Sequence, residues 1–466
     1  MNLKTLTHLY FVGIGGIGMS ALARWFRHYG CTVAGYDRTP TSLTDALVSE
    51  GIVVHFDDAV SRIPAPFRTP SDRVLVVYTP AVPADHQELN YFRTHGFTLL
   101  KRSQVLGMLT QNLFTVAVAG THGKTTTSSM IAHVLTEGGR NCTAFLGGIT
   151  QNYNTNLLLG NAAAGEPVMV AEADEYDRSF LALYPDVAVV TSMDADHLDI
   201  YGTHDELKKS FRDFVAQIKP GGRLFRREGL PLTAAVETVD FALDGSAGYA
   251  ARNVRQEGHT FRFDVATPAG DLEGFSLQMP GFHNVENATA ATAVALHLGL
   301  EADVIKKALA SFRGVKRRFE YVLVNDKNVF IDDYAHHPTE IEAFLRSVRA
   351  LYPGRHVTAV FQPHLYSRTR DFADGFAQSL ELADRLLLLE IYPARELPMP
   401  GVTSEMILEK VRLADKALCP KSELLRRLQE VPLDVLVTIG AGDIDKYVRP
   451  IRDWLAAEAG PSREKS

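Results

Sequence analysis

Short apolar runs alternate with amphipathic stretches from the start of the chain. The run His8–Val12 leads into a glycine-rich segment and then into Ser20–Tyr29, where apolar residues recur at helical spacing. The next apolar run, Thr32–Tyr36, ends at Asp37. This alternation predicts a parallel sheet with helices packed on it. Two further strands are predicted at Val53–Phe56 and Arg73–Tyr78.

The middle of the chain continues this pattern and then changes. Strands of buried type are predicted at Phe114–Ala119, Val168–Ala171 and Val187–Thr191. Between Phe225 and Met279 the runs are shorter, more polar and separated by turn residues, which predicts antiparallel strands added to an α/β domain. The alanine-rich stretch Asn284–Leu298 then predicts a helix.

The last third of the chain returns to the α/β pattern. Short apolar runs alternate there with helical stretches, at Val329–Ile331, Val357–Phe361, Leu386–Leu389 and Val435–Ile439. A chain of 466 residues is long enough for about three domains. We therefore predict an α/β protein with three domains, at residues 1–106, 107–312 and 313–466.

Composition and charge argue against several classes of function. The net charge of −7 is unlike that of a nucleic-acid-binding domain, which is usually basic. Three widely spaced cysteines favour neither a disulfide framework nor a cysteine zinc site. The N-terminus does not resemble a signal peptide, and no run of about 18 apolar residues predicts a membrane span. We expect a cytoplasmic protein without nucleic-acid partners or membrane insertion.

The first glycine-rich segment fits the dinucleotide-binding pattern G-x-G-x-x-G between a strand and a helix. Such glycines let the backbone approach a diphosphate at a helix N-terminus, and a carboxylate at the end of the next strand can hold a ribose hydroxyl. The pattern alone does not separate NAD from a UDP-sugar. The candidate nucleotide-diphosphate residues are Gly13, Gly15, Gly16, Ile17, Gly18, Met19, Ser20 and Asp37.

A second phosphate loop follows the strand predicted to end at Ala119. It resembles a P-loop, although Val118 stands where the full pattern has glycine. Backbone amides would cradle a triphosphate, Lys124 would contact its β and γ oxygens, and the Thr125 hydroxyl would bind Mg²⁺. The candidate ATP-binding residues are Gly120, Thr121, His122, Gly123, Lys124, Thr125 and Thr126.

Acidic residues follow the next two predicted strands. Carboxylates at the carboxyl ends of parallel strands face the same crevice as the phosphate loop, and Mg²⁺ prefers oxygen ligands. These residues therefore predict a magnesium site, although on this reasoning alone His197 is more often structural than a ligand. They are Glu172, Asp174 and Glu175 after the first strand and Asp194, Asp196, His197 and Asp199 after the second.

Several spaced motifs resemble those of the Mur ligases. They occur in the family's order: AGTHGKTT, EADEYDRSF, MDADHLDIYG, GFHNVENATAA and DDYAHHPTE. The segments FQPHLYSRTRDF and LEIYPARE resemble the branch that adds L-alanine. The resemblance implies Rossmann-like N- and C-terminal domains around a central P-loop ATPase domain. It also implies ADP-forming ligation of L-alanine to the muramoyl carboxylate of UDP-N-acetylmuramate through an acyl phosphate, in peptidoglycan synthesis.

The same resemblance implies a role for individual residues. Lys124, His197 and Arg318 match catalytic positions, with Arg318 on the ATP phosphates. Thr125, Glu172 and His197 match ligands of Mg²⁺, which Mn²⁺ could replace. The implied nucleotide contacts are His283, Asn287, Arg318, Asp333 and His336, and the implied alanine contacts are Tyr334, His364 and Arg368. A guanidinium fork such as that of Arg368 suits the carboxylate of a free amino acid.

Three other functions remain open at this point. A peptidoglycan-recycling ligase would add a ready-made tripeptide to the same nucleotide, and it shares the P-loop and the histidine pair. A folylpolyglutamate-type synthetase shares the central loop but lacks the N-terminal domain. An NAD-dependent oxidoreductase would use the first glycine loop and leave Lys124, Glu172 and Arg318 without a role. The base that deprotonates the alanine amine is not evident, with His197, His336 and His337 as candidates.

Overall fold

The computed structural model describes residues 3–195, 198–258, 260–394 and 396–458. The density of contacts divides the chain into two units. The first unit comprises the described residues of Met1–Arg255, Arg262–Leu277 and Val285–Arg313. The second unit comprises those of Gln256–Phe261, Gln278–Asn284 and Gly314–Ser466. No helix among the described residues is long and apolar enough to cross a membrane. The three-domain division stays a prediction.

The first unit begins with a five-stranded parallel sheet in the order β3-β2-β1-β4-β5. Its strands are β1 (His8–Val12), β2 (Thr32–Tyr36), β3 (Val53–His55), β4 (Val74–Tyr78) and β5 (Thr98–Lys101). The accompanying helices are α1 (Ile17–His28), α2 (Ser42–Ser49), α3 (Gln87–Thr94) and α4 (Arg102–Asn112). Helix α1 begins earlier than predicted because the end of the glycine loop already forms its first turn.

The same unit contains a sheet of ten strands in the order β15-β14-β13-β12-β11-β10-β6-β9-β7-β8. Its strands are β6 (Thr115–Ala119), β7 (Cys142–Thr150), β8 (Thr155–Leu158), β9 (Val168–Glu172), β10 (Val187–Val190), β11 (Arg223–Arg227), β12 (Glu237–Ala242), β13 (Tyr249–Glu257), β14 (Thr260–Thr267) and β15 (Gly270–Leu277). The helices are α5 (Lys124–Glu137), α6 (Leu198–Tyr201), α7 (His204–Val215), α8 (Phe282–His297) and α9 (Ala302–Ser311).

The prediction of antiparallel strands from Phe225 onward was wrong for β11 to β13. Strand β11 pairs with β10 and with β12 in parallel, and β12 pairs with β13 in parallel through Phe241 and Tyr249. Alternating polar and apolar residues indicate that one face of a strand is exposed to solvent. Strands with one exposed face are more common in antiparallel sheets. It does not set the strand direction, which depends on the path of the connecting chain.

The second unit carries a six-stranded sheet in the order β16-β17-β21-β18-β19-β20. All its pairs are parallel except that between β16 and β17. The strands are β16 (Glu320–Val324), β17 (Val329–Asp333), β18 (Val357–Phe361), β19 (Arg385–Leu388), β20 (Asp415–Leu418) and β21 (Val435–Ile439). The helices are α10 (Pro338–Leu351), α11 (Tyr366–Leu380), α12 (Glu405–Lys410), α13 (Leu424–Gln429) and α14 (Asp445–Glu458).

Three buried phenylalanines support the segment that follows β9. Phe180 stacks on Phe214 with ring centroids 5.1 Å apart, and its edge meets Phe211 at 5.2 Å. All three side chains are fully buried. Because Phe211 and Phe214 belong to α7, their packing fixes the short 3-10 helix Tyr176–Ala182 against that helix.

We expect Phe214→Ala to lower the free energy of unfolding by about 3–5 kcal/mol, because it leaves a cavity beside two rings. The measurement is the urea midpoint and slope followed by circular dichroism. Phe114→Ala is the matched control, since that ring is 42% exposed, and it should cost less than about 1 kcal/mol. Equal effects of the two substitutions would contradict this account of the core.

Candidate functional site

The phosphate loop joins the end of β6 to the start of α5. Gly120 has φ +138° and Gly123 has φ +81°, backbone conformations that L side chains rarely adopt. A Cβ at Gly123 would also lie 3.0 Å from Asn287 Oδ1. The buried Asn287 side chain therefore packs directly against this loop, and both glycines are required by the backbone path.

Lys124, the first residue of α5, forms a buried ion pair. Its Nζ donates to Gly120 O at 2.7 Å and to Glu175 Oε1 at 2.9 Å, and Glu175 Oε2 lies 2.8 Å away. Burial alone would lower the pKa of Lys124, but the charge of Glu175, helped by Asp174 and Glu172, outweighs burial and raises it. Lys124 therefore keeps its positive charge beside the loop.

Hydroxyl groups fasten the loop to the segment after β10. His122 N donates to Ser192 Oγ at 2.8 Å, and the Thr121 and Ser192 hydroxyls lie 2.9 Å apart. Asp194 N donates to Thr121 Oγ1 at 3.0 Å. Thr125 and Thr126 are buried in the first turn of α5. The loop is thus held on both sides by its own sheet.

Glu172 ends β9, the strand next to β6, in register with Val118. Its Oε2 accepts a hydrogen bond from Gly147 N at 3.1 Å, and a Cβ on Gly147 would run into this carboxylate. His197 and Asp196 lie outside the described residues. Glu172 and Thr125 offer carboxylate and hydroxyl oxygens, the ligand type that Mg²⁺ takes, so their chemistry fits this ion.

The N-terminal glycine loop is shaped by Asp37. Gly15 N donates to Asp37 Oδ2 at 2.7 Å and Thr39 N donates to Asp37 Oδ1 at 3.1 Å. Both carboxylate oxygens therefore already accept backbone amides, and Asp37 orders the loop itself. Gly13 has φ +90°, and Gly16 caps the N-terminus of α1.

Ser20 and Met19 are buried in the first turns of α1. The Ser20 hydroxyl donates to Ile17 O at 2.9 Å and accepts from Asn156 Nδ2 at 3.1 Å. Asn156 belongs to β8, so this contact ties the glycine-loop helix to the ten-stranded sheet. The hydroxyl is engaged in structural hydrogen bonds.

Asp333 organises the candidate residues of the second unit. This buried carboxylate accepts from Phe319 N at 2.7 Å and from Ala335 N at 2.8 Å. Burial raises the pKa of Asp333 to about 6, against the opposing charge of Arg318. The Arg318 guanidinium lies over the Tyr334 ring at 5.2 Å, and its Nη1 is 4.0 Å from Glu340.

The aromatic candidates in this unit form a continuous series. The His336 ring lies 5.4 Å from Tyr334 and 6.0 Å from His364, which stacks on Tyr392 at 5.8 Å. His336 Nδ1 lies 3.0 Å from Tyr334 O, so the ring donates there. The structure thus brings Arg318, Asp333, Tyr334, His336 and His364 together. Arg368 is buried in the first turn of α11, four residues after His364.

The observed roles of two residues at these sites were not predicted from the sequence. Glu175 was recognised as an acidic candidate for the magnesium site but not as the counterion of Lys124. Gly147 was not predicted at all. Its contact with Glu172 joins positions far apart in sequence, and an isolated glycine in a strand is the only local signal.

Three mainly parallel sheets and a phosphate loop with a buried, charged lysine define a P-loop type of nucleotide-binding α/β protein. The comparisons with known proteins narrow this class. Residues 8–113 match "Mur ligase family, catalytic domain", residues 118–295 match "Mur ligase middle domain", and residues 317–442 match "Mur ligase, glutamate ligase domain". The chain belongs to the Mur ligase family.

Relatives with curated names match over nearly the full length. The chain is 52% identical to the UDP-N-acetylmuramate–L-alanine ligase of Cytophaga hutchinsonii, covering 97% of each chain. It is 50% identical to the ligase of the same name from Flavobacterium johnsoniae, covering 98% of this chain and 99% of the other.

Solved structures agree on the fold. The UDP-N-acetylmuramate–alanine ligase of Thermotoga maritima superposes with a TM-score of 0.83 at 28% identity, covering 97% of this chain and 99% of that chain. A murein peptide ligase from Psychrobacter arcticus gives a TM-score of 0.72 at 24% identity, covering 98% and 100%. The predicted family and α/β fold class are confirmed, and the oxidoreductase alternative is set aside.

We predict that His283 stays neutral in the folded protein. Burial lowers the pKa of His283 to about 4, helped by the charge of Arg318 and opposed by Glu340. The unfolded chain would take up this proton near pH ~6.5, so protonation favours unfolding below that pH. Histidine ring signals in NMR spectra, with His283 assigned by its loss in His283→Gln, should show no titration of this ring between about pH 8 and about pH 5.5. A midpoint near the ordinary value would contradict the buried environment.

Proposed function

We propose that the protein is an ATP-dependent, ADP-forming ligase that joins L-alanine to the muramoyl carboxylate of UDP-N-acetylmuramate. The observation that carries this proposal is the 52% identity, over 97% of both chains, to a relative named for that reaction. The pathway would be synthesis of the peptidoglycan precursor in the cytoplasm. The geometry of the two units supports individual residue roles.

The phosphate loop is the proposed site of the ATP triphosphate. Backbone amides of Gly120, Thr121, His122 and Gly123 would cradle the phosphates at the N-terminus of α5. Lys124 is charged and buried beside the loop, which supports its role on the transferred phosphoryl group. To reach an oxygen of ATP, its ammonium would donate to both Glu175 and the nucleotide. Thr126 completes the first turn of α5.

Magnesium is the proposed metal, with Mn²⁺ as a substitute. Thr125 and Glu172 would supply oxygen ligands, and the proposed role of His197 rests on the resemblance of MDADHLDIYG. When bound, the ion would neutralise charge that develops on the phosphates. Gly147 keeps the Glu172 carboxylate oriented through its N–H group.

The first glycine loop is the proposed site of the UDP diphosphate. Gly13, Gly15, Gly16, Ile17 and Gly18 bring backbone close to the ligand. Met19, Ser20 and Asp37 are proposed to act mainly through loop shape, because their side chains are buried or engaged with backbone groups.

The remaining assignments concern adenosine and the amino acid. Asn287 beside Gly123, together with His283, Arg318, Asp333 and His336, is proposed for the nucleotide. The proposed role of Asp333 at the ribose rests on the resemblance of DDYAHHPTE, because both its oxygens already accept backbone amides. Tyr334, His364 and Arg368 are proposed for L-alanine, with the Arg368 fork on its carboxylate.

The chemistry follows from these charges. A carboxylate is a poor electrophile, so the γ-phosphoryl group of ATP is first transferred to a muramoyl carboxylate oxygen, which gives an acyl phosphate and ADP. The neutral amine of L-alanine then attacks the carbonyl carbon. The C–O bond to phosphate breaks, phosphate leaves and the amine loses a proton. Lys124 and Arg318 would offset the charge on the transferred group.

An ADP-release assay across acceptors and donors tests the function. We expect sustained ADP release only when ATP, UDP-N-acetylmuramate, L-alanine and Mg²⁺ are all present, because the acyl phosphate forms from ATP and the acid but turns over only when the amine consumes it. Glycine and serine should be weak substrates, since one small group changes binding by only about 1–3 kcal/mol. ADP release with the tripeptide L-alanyl-D-glutamyl-diaminopimelate and none with L-alanine would favour the recycling ligase instead.

We predict that Arg368→Lys raises the KM for L-alanine about tenfold or more and leaves the KM for ATP nearly unchanged, because an ammonium cannot form the two parallel hydrogen bonds of the guanidinium. The measurement is steady-state ADP release with each substrate varied. Arg370→Lys on the same helix is the control, since Arg370 is exposed and pairs with Asp371. Loss of ATP affinity with retained alanine affinity would place Arg368 in the nucleotide site.

A further inference from the structure

Arg102 is the first residue of α4 and is partly buried. No hydrogen bond or ion pair of its guanidinium group is found among the described residues. Arg24 on the neighbouring helix, by contrast, is paired with Glu50 at 2.7 Å. The N–H donors of Arg102 are therefore available to an anion that a ligand supplies.

The guanidinium lies against the third glycine of the first glycine loop. A Cβ on Gly18 would be 2.8 Å from Arg102 Nη1 and 3.1 Å from its Cδ. Gly18 is inside α1, where glycine weakens the helix. In dinucleotide-binding proteins the third glycine permits close packing of the helix on the strand. In this chain the absence of a side chain at Gly18 leaves space for Arg102.

A small cavity lies on the other side of Arg102. It has a volume of only about 10 Å³, and its lining includes Arg102, Ser103, Glu172, Asp174 and Ser179. Neither Glu172 nor Asp174 forms an ion pair with Arg102 in this structure. Arg102 therefore stands between the glycine loop and the carboxylate edge of the ten-stranded sheet, within one structural unit.

We infer that Arg102 binds the diphosphate of the sugar nucleotide, an inference that rests on the proposed function. The amides of the glycine loop are neutral donors, and a guanidinium adds permanent charge and a fork that matches two phosphate oxygens. Held there, the diphosphate would be fixed relative to Glu172, and the muramoyl carboxylate would extend from this anchor toward the phosphate loop. Arg102 is thus a binding residue that also positions the reacting carboxylate.

The test is calorimetric titration of UDP and, separately, of UDP-N-acetylmuramate into the full chain without ATP. Arg102→Met should weaken both ligands by about tenfold to a hundredfold, the size of a lost charge-assisted hydrogen bond. ATP binding should be unchanged, which also reports that the variant is folded. Arg73→Met is the matched control, because Arg73 is exposed in the same sheet region and belongs to no proposed site.

Two further variants test the role of Arg102 if Arg102→Met does not fold. Arg102→Lys should bind UDP with intermediate affinity, and Gly18→Ala should weaken UDP by displacing the guanidinium. Unchanged UDP affinity in the folded Arg102 variants would overturn the inference, as would a loss confined to UDP-N-acetylmuramate, which would assign Arg102 to the muramoyl group. An equal loss of ATP affinity would indicate a structural role and would also overturn it. Arg102-dependent UDP binding without ADP release by the wild-type chain would refute the proposed function alone.

Discussion

The buried ion pair between Lys124 and Glu175 is the constraint on which the centre of the first unit depends. A charged lysine ammonium is costly to bury without a partner, and here it has one carboxylate and one backbone carbonyl as partners. Glu175 is in turn held in place by its backbone, since Tyr201 Oη donates to Glu175 O at 2.6 Å. The phenylalanine cluster behind it fixes the following segment. The position of the catalytic candidate is therefore set by packing well outside the loop.

The second unit also buries an ionisable side chain, and different groups stabilise it. Asp333 is also buried, but its oxygens accept two backbone amides, and Arg318 supplies the nearby charge. Arg317 and Phe319, the residues on either side of Arg318, have positive φ values, which cost free energy unless the surroundings hold them. The hydrogen bond from Phe319 N to Asp333 helps to hold this turn. The carboxylate thus orders the backbone that presents the guanidinium.

The two glycine loops differ in what surrounds them. The phosphate loop is held by hydroxyl groups and has an internal cation in Lys124. The first loop is shaped by Asp37, whose carboxylate accepts an amide of the loop, and Arg102 from another helix lies beside its Gly18. This separation suits two ligands with different phosphates. Because the cation beside the first loop comes from another helix, the glycine pattern by itself did not distinguish this loop from an NAD site.

The order of strands and helices, the fold class and the family followed from the sequence, because periodicity and contiguous motifs are local properties. Strands β1, β2, β18 and β21 occur where they were predicted. The direction of β12 and β13 did not follow, since pairing depends on the path of the chain. Only the tertiary structure brought Glu175 to Lys124, Gly147 to Glu172 and Arg102 to Gly18. Each pair joins segments that are distant in sequence, and their burial and contact arise only when the sheets pack together.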